Sequence, residues 1–542
     1  MRIALAQLNY HIGNFELTIQ KVKEAVKKAK EEGAELVVFA ELGISGYPPR
    51  DFLDFDEFIE MSKDALDEIA KCTDDIGIII GAPTFNKNSK GKRLRNSAVF
   101  IWNNKIQSIH NKALLPTYDV FDEYRYFEPE TQFELVTFKG KKLAITVCED
   151  IWNLDHQEMY VQSPMDQLKK ESPDLMINIA ASPFDADHHE DRLQILRENV
   201  SKYNIPIVYV NHVGAQTELI FDGGSMVMDA SGNILKQLNF FEEDLQVWNS
   251  ARKDSVVKDN VPEKLERIRQ AIVLGVSDYF RKLGFKKAIL GLSGGIDSAL
   301  TAAIAVEALG KENVIGVLLP SEFSSDHSID DAEKLADNLG IEIHQLPIKD
   351  TFASFQKDLE PVFKDLPFGL AEENLQARIR GTLLMGISNK FSYILLNTSN
   401  KSEAAVGYGT LYGDMNGGLS VLGDLYKTDV FALSRHINKG KEIIPENTIT
   451  KEPSAELRPD QKDSDSLPDY AMLDQILHLY IDQQKGKKDI ISLGFDSNLV
   501  GKILKLVNLN EYKRKQTSPV LRVSKKAFGM GRRMPIVARY LI

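Results

Sequence analysis

Three residues with the chemistry needed for amide hydrolysis follow predicted β-strands in the first half of the chain. Glu41, Lys112 and Cys148 come at or just after the ends of the segments 36–40, 105–110 and 142–147. Functional groups gather at strand ends in α/β proteins. A thiolate can attack an amide carbon, a carboxylate can carry the proton, and an ammonium can stabilise the oxyanion. Taken singly, Glu41 is more typical of a solvated strand end, and Cys148 of an inert buried thiol.

A glycine-rich stretch in the second half, Gly291–Ser298, indicates a different chemistry. It lies between a predicted strand, Lys287–Leu292, and a predicted helix, Ser298–Leu309. Such a turn directs backbone N–H groups and a helix N-terminus to one point, which favours an anion. A Walker A loop would carry a lysine that is missing here. Asp297 stands in the loop instead, and a carboxylate suits Mg²⁺.

The same stretch matches two catalytic patterns. Gly291 to Gly295 spells G-x-S-x-G, the nucleophile elbow of serine hydrolases, so a hydrolase that uses Ser293 is one alternative. The six residues Ser293–Ser298 resemble the SGGxDS loop of the ATP pyrophosphatases, a family that includes NAD, GMP and asparagine synthetases. That resemblance, which we favour, implies cleavage of ATP to AMP and pyrophosphate in order to activate a substrate.

Composition limits the classes of protein to consider. The 542 residues predict more than one domain, and the sequence has neither a long apolar run nor a signal-peptide pattern. Two cysteines, Cys72 and Cys148, form no disulfide framework, which favours the cytoplasm. A net charge of −12 argues against nucleic-acid binding. We therefore expect small-molecule substrates, no membrane and no nucleic acid.

Strands and helices alternate along the whole chain, which predicts an α/β protein. The polar stretch 249–262 ends at Pro262 and is typical of a linker. We expect one domain at 1–250, a linker at 251–262 and a second domain at 263–542. In the second domain the order strand, helix, strand, helix, strand predicts a doubly wound parallel sheet.

The first domain resembles the nitrilase, or carbon–nitrogen hydrolase, family over residues 1 to about 245. The motifs that carry this resemblance are Phe39–Leu42, Gly46–Pro49, Leu115–Tyr118, Cys148–Trp152 and Phe221–Ser225. Phe121, Glu123, Arg125, Tyr126 and Phe127 extend the second block as in the glutaminase members. The resemblance implies a four-layer α-β-β-α sandwich with Cys148 as nucleophile, Glu41 as general base and Lys112 at the oxyanion. It also implies that Tyr118 and Ser182 bind glutamine. The family usually has Lys or Arg where this chain has His188. The resemblance therefore implies that His188 contacts glutamine, but with a different side chain.

Five later blocks extend the resemblance to glutamine-dependent NAD synthetases, over nearly the whole chain. They are Glu373–Arg380, Asn397–Glu403, Gly423–Asp429, Pro453–Leu457 and Glu511–Gln516. They imply an adenine nucleotide alpha hydrolase-like domain in which Mg²⁺ is held by Asp297 and Glu403. The implied ATP-binding residues are Gly291, Leu292, Ser293, Gly294, Gly295, Ile296, Asp297, Ser298, Thr398, Lys427 and Ser454. Those implied for deamido-NAD are Asn374, Glu403, Asp414 and Lys513. Glu403 is implied in two roles, which the sequence does not separate.

The expected activity is a ligase in two steps, in which glutamine supplies ammonia and ATP activates deamido-NAD for amidation. The basic stretch from Gly501 to Ile542, with eleven Lys or Arg and one acid, is expected to face the pyrophosphate of that substrate. Family resemblance also implies a homo-oligomer. Two alternatives beyond the serine hydrolase are another amidotransferase and a nucleotide-sensing module without catalysis. The known GMP and asparagine amidotransferases carry different glutaminase domains, and the latter begin with Cys where this chain has Met1-Arg2.

Overall fold

The computed structural model describes residues 1–154, 159–252, 255–459, 461–465 and 467–540. The chain forms two compact units, Met1–Glu263 (unit 1) and Lys264–Ile542 (unit 2). Both units mix helices with sheets, so the predicted α/β class is confirmed. Within the described ranges, no helix combines the length and the apolar character needed to span a bilayer.

Unit 1 is built mainly from β-strands, and helices flank them. Its strands are β1 Arg2–Gln7, β2 Leu36–Val38, β3 Gly77–Phe85, β4 Leu94–Trp102, β5 Lys105–Asn111, β6 Val136–Phe138, β7 Lys141–Val147, β8 Leu175–Ile179, β9 Ile207–Val210, β10 Val213–Gln216, β11 Leu219–Asp222, β12 Met226–Met228, β13 Ile234–Gln237 and β14 Asp244–Asn249. Its helices are α1 Phe15–Glu31, α2 Asp56–Ala70, α3 Pro164–Leu168 and α4 His188–Tyr203.

Two sheets of unit 1 pack face to face. One has the strand order β14-β1-β2-β3-β4-β5 and the other β13-β12-β9-β8-β7-β6. Side chains alternate between the faces of a strand. In β1, Ile3 and Leu5 therefore pack into the core shared with the second sheet, whereas Ala4 and Ala6 pack with α1 and α2. Helices α3 and α4 contribute to the core of the second sheet. This is the predicted α-β-β-α sandwich.

Helix α1 illustrates how local sequence sets these elements. The Asn14 side chain accepts a hydrogen bond from Leu17 N–H at 3.1 Å, which satisfies a free donor at the helix start. Val22 and Val26 on one face are buried against the first sheet. Gly33 lies just beyond the helix with φ +75, the left-handed conformation that commonly ends helices. Asn14 is thus the N-cap of α1.

Unit 2 begins with a long helix and continues with alternating strands and helices. Its strands are β15 Ala288–Gly291, β16 Val314–Leu318, β17 Glu342–Gln345, β18 Ile394–Asn397 and β19 Leu419–Ser420. Its helices are α5 Lys264–Leu283, α6 Ile296–Leu309, α7 Asp326–Leu339, α8 Lys349–Phe363, α9 Leu370–Phe391, α10 Lys401–Val406, α11 Lys427–Ile437, α12 Glu446–Thr450, α13 Tyr470–Ile481, α14 Lys487–Ser492, α15 Ser497–Leu509 and α16 Glu511–Arg514.

The strands of unit 2 form a parallel sheet in the order β17-β16-β15-β18-β19. The chain order reverses at β15, and ligands bind beyond the carboxyl ends of strands at such a switch point. Helix α6 packs on β15 and β16, and α9 packs on β15 and β18. The prediction of a doubly wound parallel sheet is confirmed. Helices α10, α13 and α15 share a further apolar core.

Candidate active sites

Glu41, Lys112 and Cys148 lie together inside unit 1. Glu41, Lys112 and Cys148 are 0%, 1% and 7% exposed, respectively. Lys112 Nζ donates to Glu41 Oε1 at 2.7 Å. The charges of Glu41 and Lys112 both act on the Cys148 thiol, one raising its pKa and the other lowering it. The three predicted residues thus form one buried cluster, although they come from three separate strand ends.

Glu41 is fixed by donors on both carboxylate oxygens. Its Oε1 accepts hydrogen bonds from Lys112 and from Asn96 Nδ2, each at 2.7 Å, and its Oε2 accepts one from Ala181 N–H at 2.9 Å. Charge-assisted bonds of this kind are the strong ones. A carboxylate oxygen has about two acceptor positions. Oε2 therefore retains capacity to receive a proton while the side chain is held in place.

Glu123 is a fourth member of the cluster, and sequence reasoning gave it no role. Its Oε1 accepts hydrogen bonds from Lys112 Nζ and Tyr47 OH, each at 2.9 Å, and its Oε2 accepts one from Asn96 at 3.2 Å. Burial, opposed by Lys112 and reinforced by Glu41, raises the pKa of Glu123 to about 7. Lys112 is consequently held between two carboxylates. The available signal for Glu123 was its place in the glutaminase motif around residues 121–127. That motif alone does not show which of its residues faces Lys112.

Cys148 opens a short 3₁₀-helix, Cys148–Ile151, with φ +44. A positive φ is uncommon for a residue with a Cβ, and such strain clusters at functional sites. Asp150 holds the turn: its Oδ2 accepts from Val147 N–H, and its Oδ1 accepts from the N–H groups of Ala113 and Leu114, all at 2.9 Å. Burial raises the pKa of the Cys148 thiol well above its usual range. The free thiol therefore carries its proton.

Glu149, the next residue, is also buried. Tyr118 OH donates to its two oxygens at 2.9 and 3.0 Å, and Tyr160 OH donates to Oε1 at 3.0 Å. Burial raises the pKa of Glu149. Tyr118, which was predicted from sequence, thus contacts the residue that directly follows Cys148. Sequence reasoning did not single out Glu149.

Ser182 and His188 contact each other. Ser182 Oγ lies 2.7 Å from His188 Nε2, and Ser182 N–H donates to Asn211 Oδ1 at 2.9 Å. The His188 ring stacks on Trp152 with centroids 5.4 Å apart and planes 6° apart. Ser182 is also joined to the main cluster through the backbone, because the preceding Ala181 N–H binds Glu41. The pair lies at the edge of the same site.

Unit 2 contains a cavity of about 510 Å³ at the carboxyl end of β15. Its wall includes most of the predicted loop: Gly291, Leu292, Ser293, Gly295, Ile296, Asp297 and Ser298. Gly294 faces the backbone of Ser328, with φ +75. Ser293 Oγ lies 3.2 Å from Ser298 Oγ and accepts from Gly295 N–H. Neither partner is a base, so these contacts do not make the pair that a serine hydrolase requires.

Asp297, Glu403 and Lys427 meet at the bottom of this cavity. Lys427 Nζ hydrogen-bonds to Asp297 Oδ2 and lies 3.4 Å from Glu403 Oε1, while Asn400 Nδ2 donates to Asp297 Oδ1 at 2.9 Å. Burial and the charge of Asp297 raise the pKa of Glu403 to about 8. Two carboxylates here share one ammonium, so the pocket favours additional positive charge.

This donor set fits Mg²⁺. The ion prefers hard oxygen ligands and is usually bound by one or two carboxylates together with substrate phosphates. Across the described ranges, no group of three or more His, Cys, Asp and Glu side chains could hold a metal. Asp297 and Glu403 would therefore have to share the ion with a phosphate-bearing ligand in the cavity.

The cavity wall also includes Thr398, which follows β18, and Ser454. A neighbouring residue that sequence reasoning missed is Glu456. Its Oε1 accepts hydrogen bonds from Ser325 Oγ and Ser328 Oγ, each at 2.8 Å. These contacts join the segment around Ser454 to the start of α7, a pairing of residues more than 120 positions apart.

The residues predicted for deamido-NAD form a second group. Thr410 joins two of them: its Oγ1 donates to Asn374 Oδ1 at 2.7 Å, and its N–H donates to Asp414 Oδ1 at 2.6 Å. Lys513 Nζ donates to two carbonyls of the loop 407–409, both at 2.8 Å. Asp414 lines the large cavity, whereas Asn374 and Lys513 lie outside its lining. The four predicted residues, including Glu403, are thus split between the cavity and its surroundings.

Both units match known families. Residues 2–254 match the model of carbon–nitrogen hydrolases and residues 268–517 match that of NAD synthase. The glutamine-dependent NAD(+) synthetase of Synechocystis sp. is 46% identical, with 99% of each chain covered. The enzyme of the same name from Thermotoga maritima is 41% identical and covers 100% of this chain and 99% of its own. A solved structure of glutamine-dependent NAD+ synthetase from Acinetobacter baumannii, in complex with ADP, aligns with a TM-score of 0.79 at 40% identity, covering 99% of this chain and 98% of that one.

Proposed function

Because the chain belongs to the family of glutamine-dependent NAD(+) synthetases, we propose that unit 1 releases ammonia from glutamine and that unit 2 uses it to amidate deamido-NAD. The enzyme is a carbon–nitrogen ligase of NAD biosynthesis with glutamine as amido donor. ATP and deamido-NAD are the substrates of its second site.

In unit 1, Cys148 is the nucleophile and Glu41 the general base. Because the thiol is protonated when free, it must lose its proton as sulfur bonds to the amide carbon, and Glu41 Oε2 has the capacity to accept it. Lys112 stabilises the oxyanion. Glu41 then returns the proton to the leaving nitrogen, and the C–N bond breaks to give ammonia and a thioester. Water attacks the thioester, and glutamate leaves as the thiol regains a proton.

Glutamine carries an α-ammonium and an α-carboxylate that must be recognised. Glu149 directly follows Cys148 in sequence and presents a buried carboxylate held by two tyrosine hydroxyls. We assign it to the α-ammonium, with Tyr118 orienting it. Ser182 and His188, which contact each other at 2.7 Å, are assigned to the α-carboxylate. A histidine can serve there as a hydrogen-bond donor in place of a Lys or Arg.

In unit 2, the loop Gly291–Ser298 and Thr398 hold ATP, and Lys427 and Ser454 contact its phosphates. An oxygen of the nicotinate carboxylate attacks the α-phosphorus, and pyrophosphate leaves. Ammonia then attacks the acyl adenylate, forming the amide of NAD and releasing AMP. A cavity of about 510 Å³ lies within the usual range for small-molecule sites.

Asp297 and Glu403 would hold Mg²⁺, as their partly buried positions beside Lys427 allow. When bound, the ion neutralises charge on the phosphates of ATP. Glu403, Asp414, Asn374 and Lys513 are assigned to deamido-NAD, with Glu403 at the boundary between the two groups. We also propose a homo-oligomer of at least two chains, which analytical ultracentrifugation would test, and a cytoplasmic location, where a free catalytic thiol stays reduced.

The observation that carries this proposal is the buried contact of Lys112 with Glu41 in a site that also contains Cys148. The same chain has a second cavity, in unit 2, which residues of the loop Gly291–Ser298 line. The test compares NAD formation by the wild-type enzyme and Cys148→Ala, each supplied with glutamine or with ammonium. We expect the variant to lose glutamine-dependent synthesis and to retain synthesis from ammonium. Equal activity of both proteins on glutamine would refute the assignment of Cys148.

A further inference from the structure

Lys401 is a buried lysine to which the mechanism above gives no role. It is 0% exposed. Its Nζ lies 3.0 Å from Asp424 Oδ1, 3.0 Å from Asp482 Oδ1 and 2.7 Å from Ser524 Oγ. A buried charge is costly unless it is paired and hydrogen-bonded. Here three oxygen acceptors surround the ammonium, which also lies 4.7 Å from the centre of the Tyr426 ring.

The sequence neighbours of Lys401 reach into the ATP-site cluster. Asn400 donates to Asp297 at 2.9 Å, and Glu403 lies 3.4 Å from Lys427 Nζ. Lys401 is the first residue of α10, the short helix that carries Glu403. Its position therefore fixes the segment from which both Asn400 and Glu403 project.

One side-chain acceptor of Lys401, Asp424, belongs to the segment that leads into Lys427. Asp424 is three residues before Lys427, and Leu425 O accepts a hydrogen bond from Lys401 N–H at 2.8 Å. Tyr426 OH donates to Asp482 at 2.5 Å. Burial alone would raise the pKa of Asp482, but hydrogen bonding from His478 and the charge of Lys401 lower it to about 2. The segment 424–427 is thus tied to Lys401 through backbone and side chain.

A third segment joins from near the end of the chain. Asp424 Oδ2 accepts the N–H groups of Val523 and Ser524 at 2.8 and 2.7 Å, and Ser524 Oγ donates to Asp424 Oδ1 at 2.8 Å. The side chains of Lys401, Asp424 and Asp482 at this junction are 0%, 0% and 4% exposed. Three stretches that are distant in sequence therefore converge on one ammonium.

We propose that Lys401 is a positioning residue for the ATP-dependent step: it sets the spacing between Glu403, on its own helix, and Lys427, on the segment that Asp424 and Leu425 O tie to Lys401. This inference rests on the function proposed for unit 2. Misplacing a group by about 1 Å can cost up to a hundredfold in rate. Loss of the ammonium should leave the catalytic side chains present but incorrectly spaced.

The test uses Lys401→Met, which keeps the length of the side chain and removes its charge. The readout is deamido-NAD-dependent exchange of labelled pyrophosphate into ATP, which reports the adenylation step without ammonia. We expect the exchange rate to fall by about tenfold to a hundredfold and the Mg²⁺ concentration for half-maximal exchange to rise. Glutamine hydrolysis by unit 1 should be unchanged.

Asp278→Asn is the matched control, because Asp278 and Lys282 of α5 form another buried ion pair of unit 2, 3% and 7% exposed. It should lower stability and leave the Mg²⁺ response unchanged. Wild-type exchange and Mg²⁺ response in Lys401→Met, or an equal loss in the control, would overturn the proposal.

Should Lys401→Met fail to fold, Ser524→Ala decides the matter, because it removes only one of the three acceptors. A rise in the Mg²⁺ requirement supports the proposal, and an unchanged requirement overturns it. Absence of exchange in the wild-type enzyme would instead refute the function proposed for unit 2.

Discussion

Glu149 is the residue whose assignment most depends on its surroundings. In the described part of the chain, the side-chain donors to its carboxylate are the hydroxyls of Tyr118 and Tyr160. A carboxylate in such a pocket retains capacity for a charged donor from a ligand. This arrangement yields a prediction about which part of glutamine it binds.

We predict that Glu149→Gln raises KM for glutamine by about tenfold to a hundredfold, because a charge-assisted hydrogen bond to the α-ammonium is lost. Hydrolysis of glutaramate, which lacks that ammonium, should change little. The measurement is ammonia release from both amides, with ammonium-dependent NAD synthesis as the control for unit 2. Equal losses on the two amides would contradict the assignment.

Glu123 allows a prediction about pH and stability. Its folded-state pKa, about 7, lies above its ordinary value of 4.5 because it is buried. The group therefore contributes stability that is fully present below pH 4.5 and is lost as the pH rises through about 7. Glu123→Gln cannot ionise. We expect the stability of the variant relative to the wild type to increase over this window, by on the order of 3 kcal/mol.

Tryptophan fluorescence during urea unfolding measures this effect in unit 1, because the three tryptophans, Trp102, Trp152 and Trp248, all belong to it. Unfolding midpoints of both proteins would be compared between pH 5 and 8. Midpoints that run parallel over that range would show that Glu123 does not change its ionisation on folding.

At the residue scale, sequence patterns predicted Glu41, Lys112 and Cys148 because each follows a recognisable strand or motif. The structure brings these three together, while their chemical roles remain predictions. Glu123 and Glu149 stand inside the same motifs, but their roles depend on what packs beside them. The partners of Glu123 come from Tyr47, Asn96 and Lys112, and no local pattern encodes such contacts.

At the element scale, the turn between β15 and α6 depends on Gly294. Its φ is +75, and a Cβ there would lie 2.2 Å from Ser328 O, a backbone atom that cannot move alone. We predict that Gly294→Ala abolishes pyrophosphate exchange, because both the backbone conformation and the close approach require glycine. Glutamine hydrolysis in unit 1 should persist.

Gly291→Ala is the matched control in the same loop. A Cβ at Gly291 would lie 3.4 Å from a Leu384 methyl carbon, an ordinary contact, so exchange should survive. Survival of exchange in Gly294→Ala would show that the loop tolerates a rearranged turn and that its present geometry is not required.

The elements whose positions were predicted from sequence differ from those of the structure by one or two residues at their ends. The predicted strands at 36–40 and 105–110 are β2 Leu36–Val38 and β5 Lys105–Asn111. Apolar periodicity, the Asn14 cap and Gly33 determine such elements locally. The order β17-β16-β15-β18-β19 and the pairing of β14 with β1 involve distant segments, so local pattern could not supply them.

For the whole molecule, the boundary at Glu263 and Lys264 separates two units that carry different chemistry. The predicted linker at 251–262 remains a prediction, although Asp259 is bound to unit 1 by His189 Nε2 at 2.8 Å and Gln237 Nε2 at 2.9 Å. The acidic total of −12 coexists with a basic final stretch. The lining of the unit 2 cavity includes Asp297 and Glu403 and no described residue of the stretch 501–540, so contact of the basic stretch with a pyrophosphate stays a prediction.

In the proposed function, one chain transfers nitrogen from glutamine to deamido-NAD. The most direct test supplies [amide-¹⁵N]glutamine, ATP, Mg²⁺ and deamido-NAD without added ammonium, and analyses the NAD by mass spectrometry. We expect NAD labelled in its amide nitrogen, together with glutamate and AMP, and no NAD from Cys148→Ala under the same conditions. Release of glutamate without labelled NAD would contradict the proposed function.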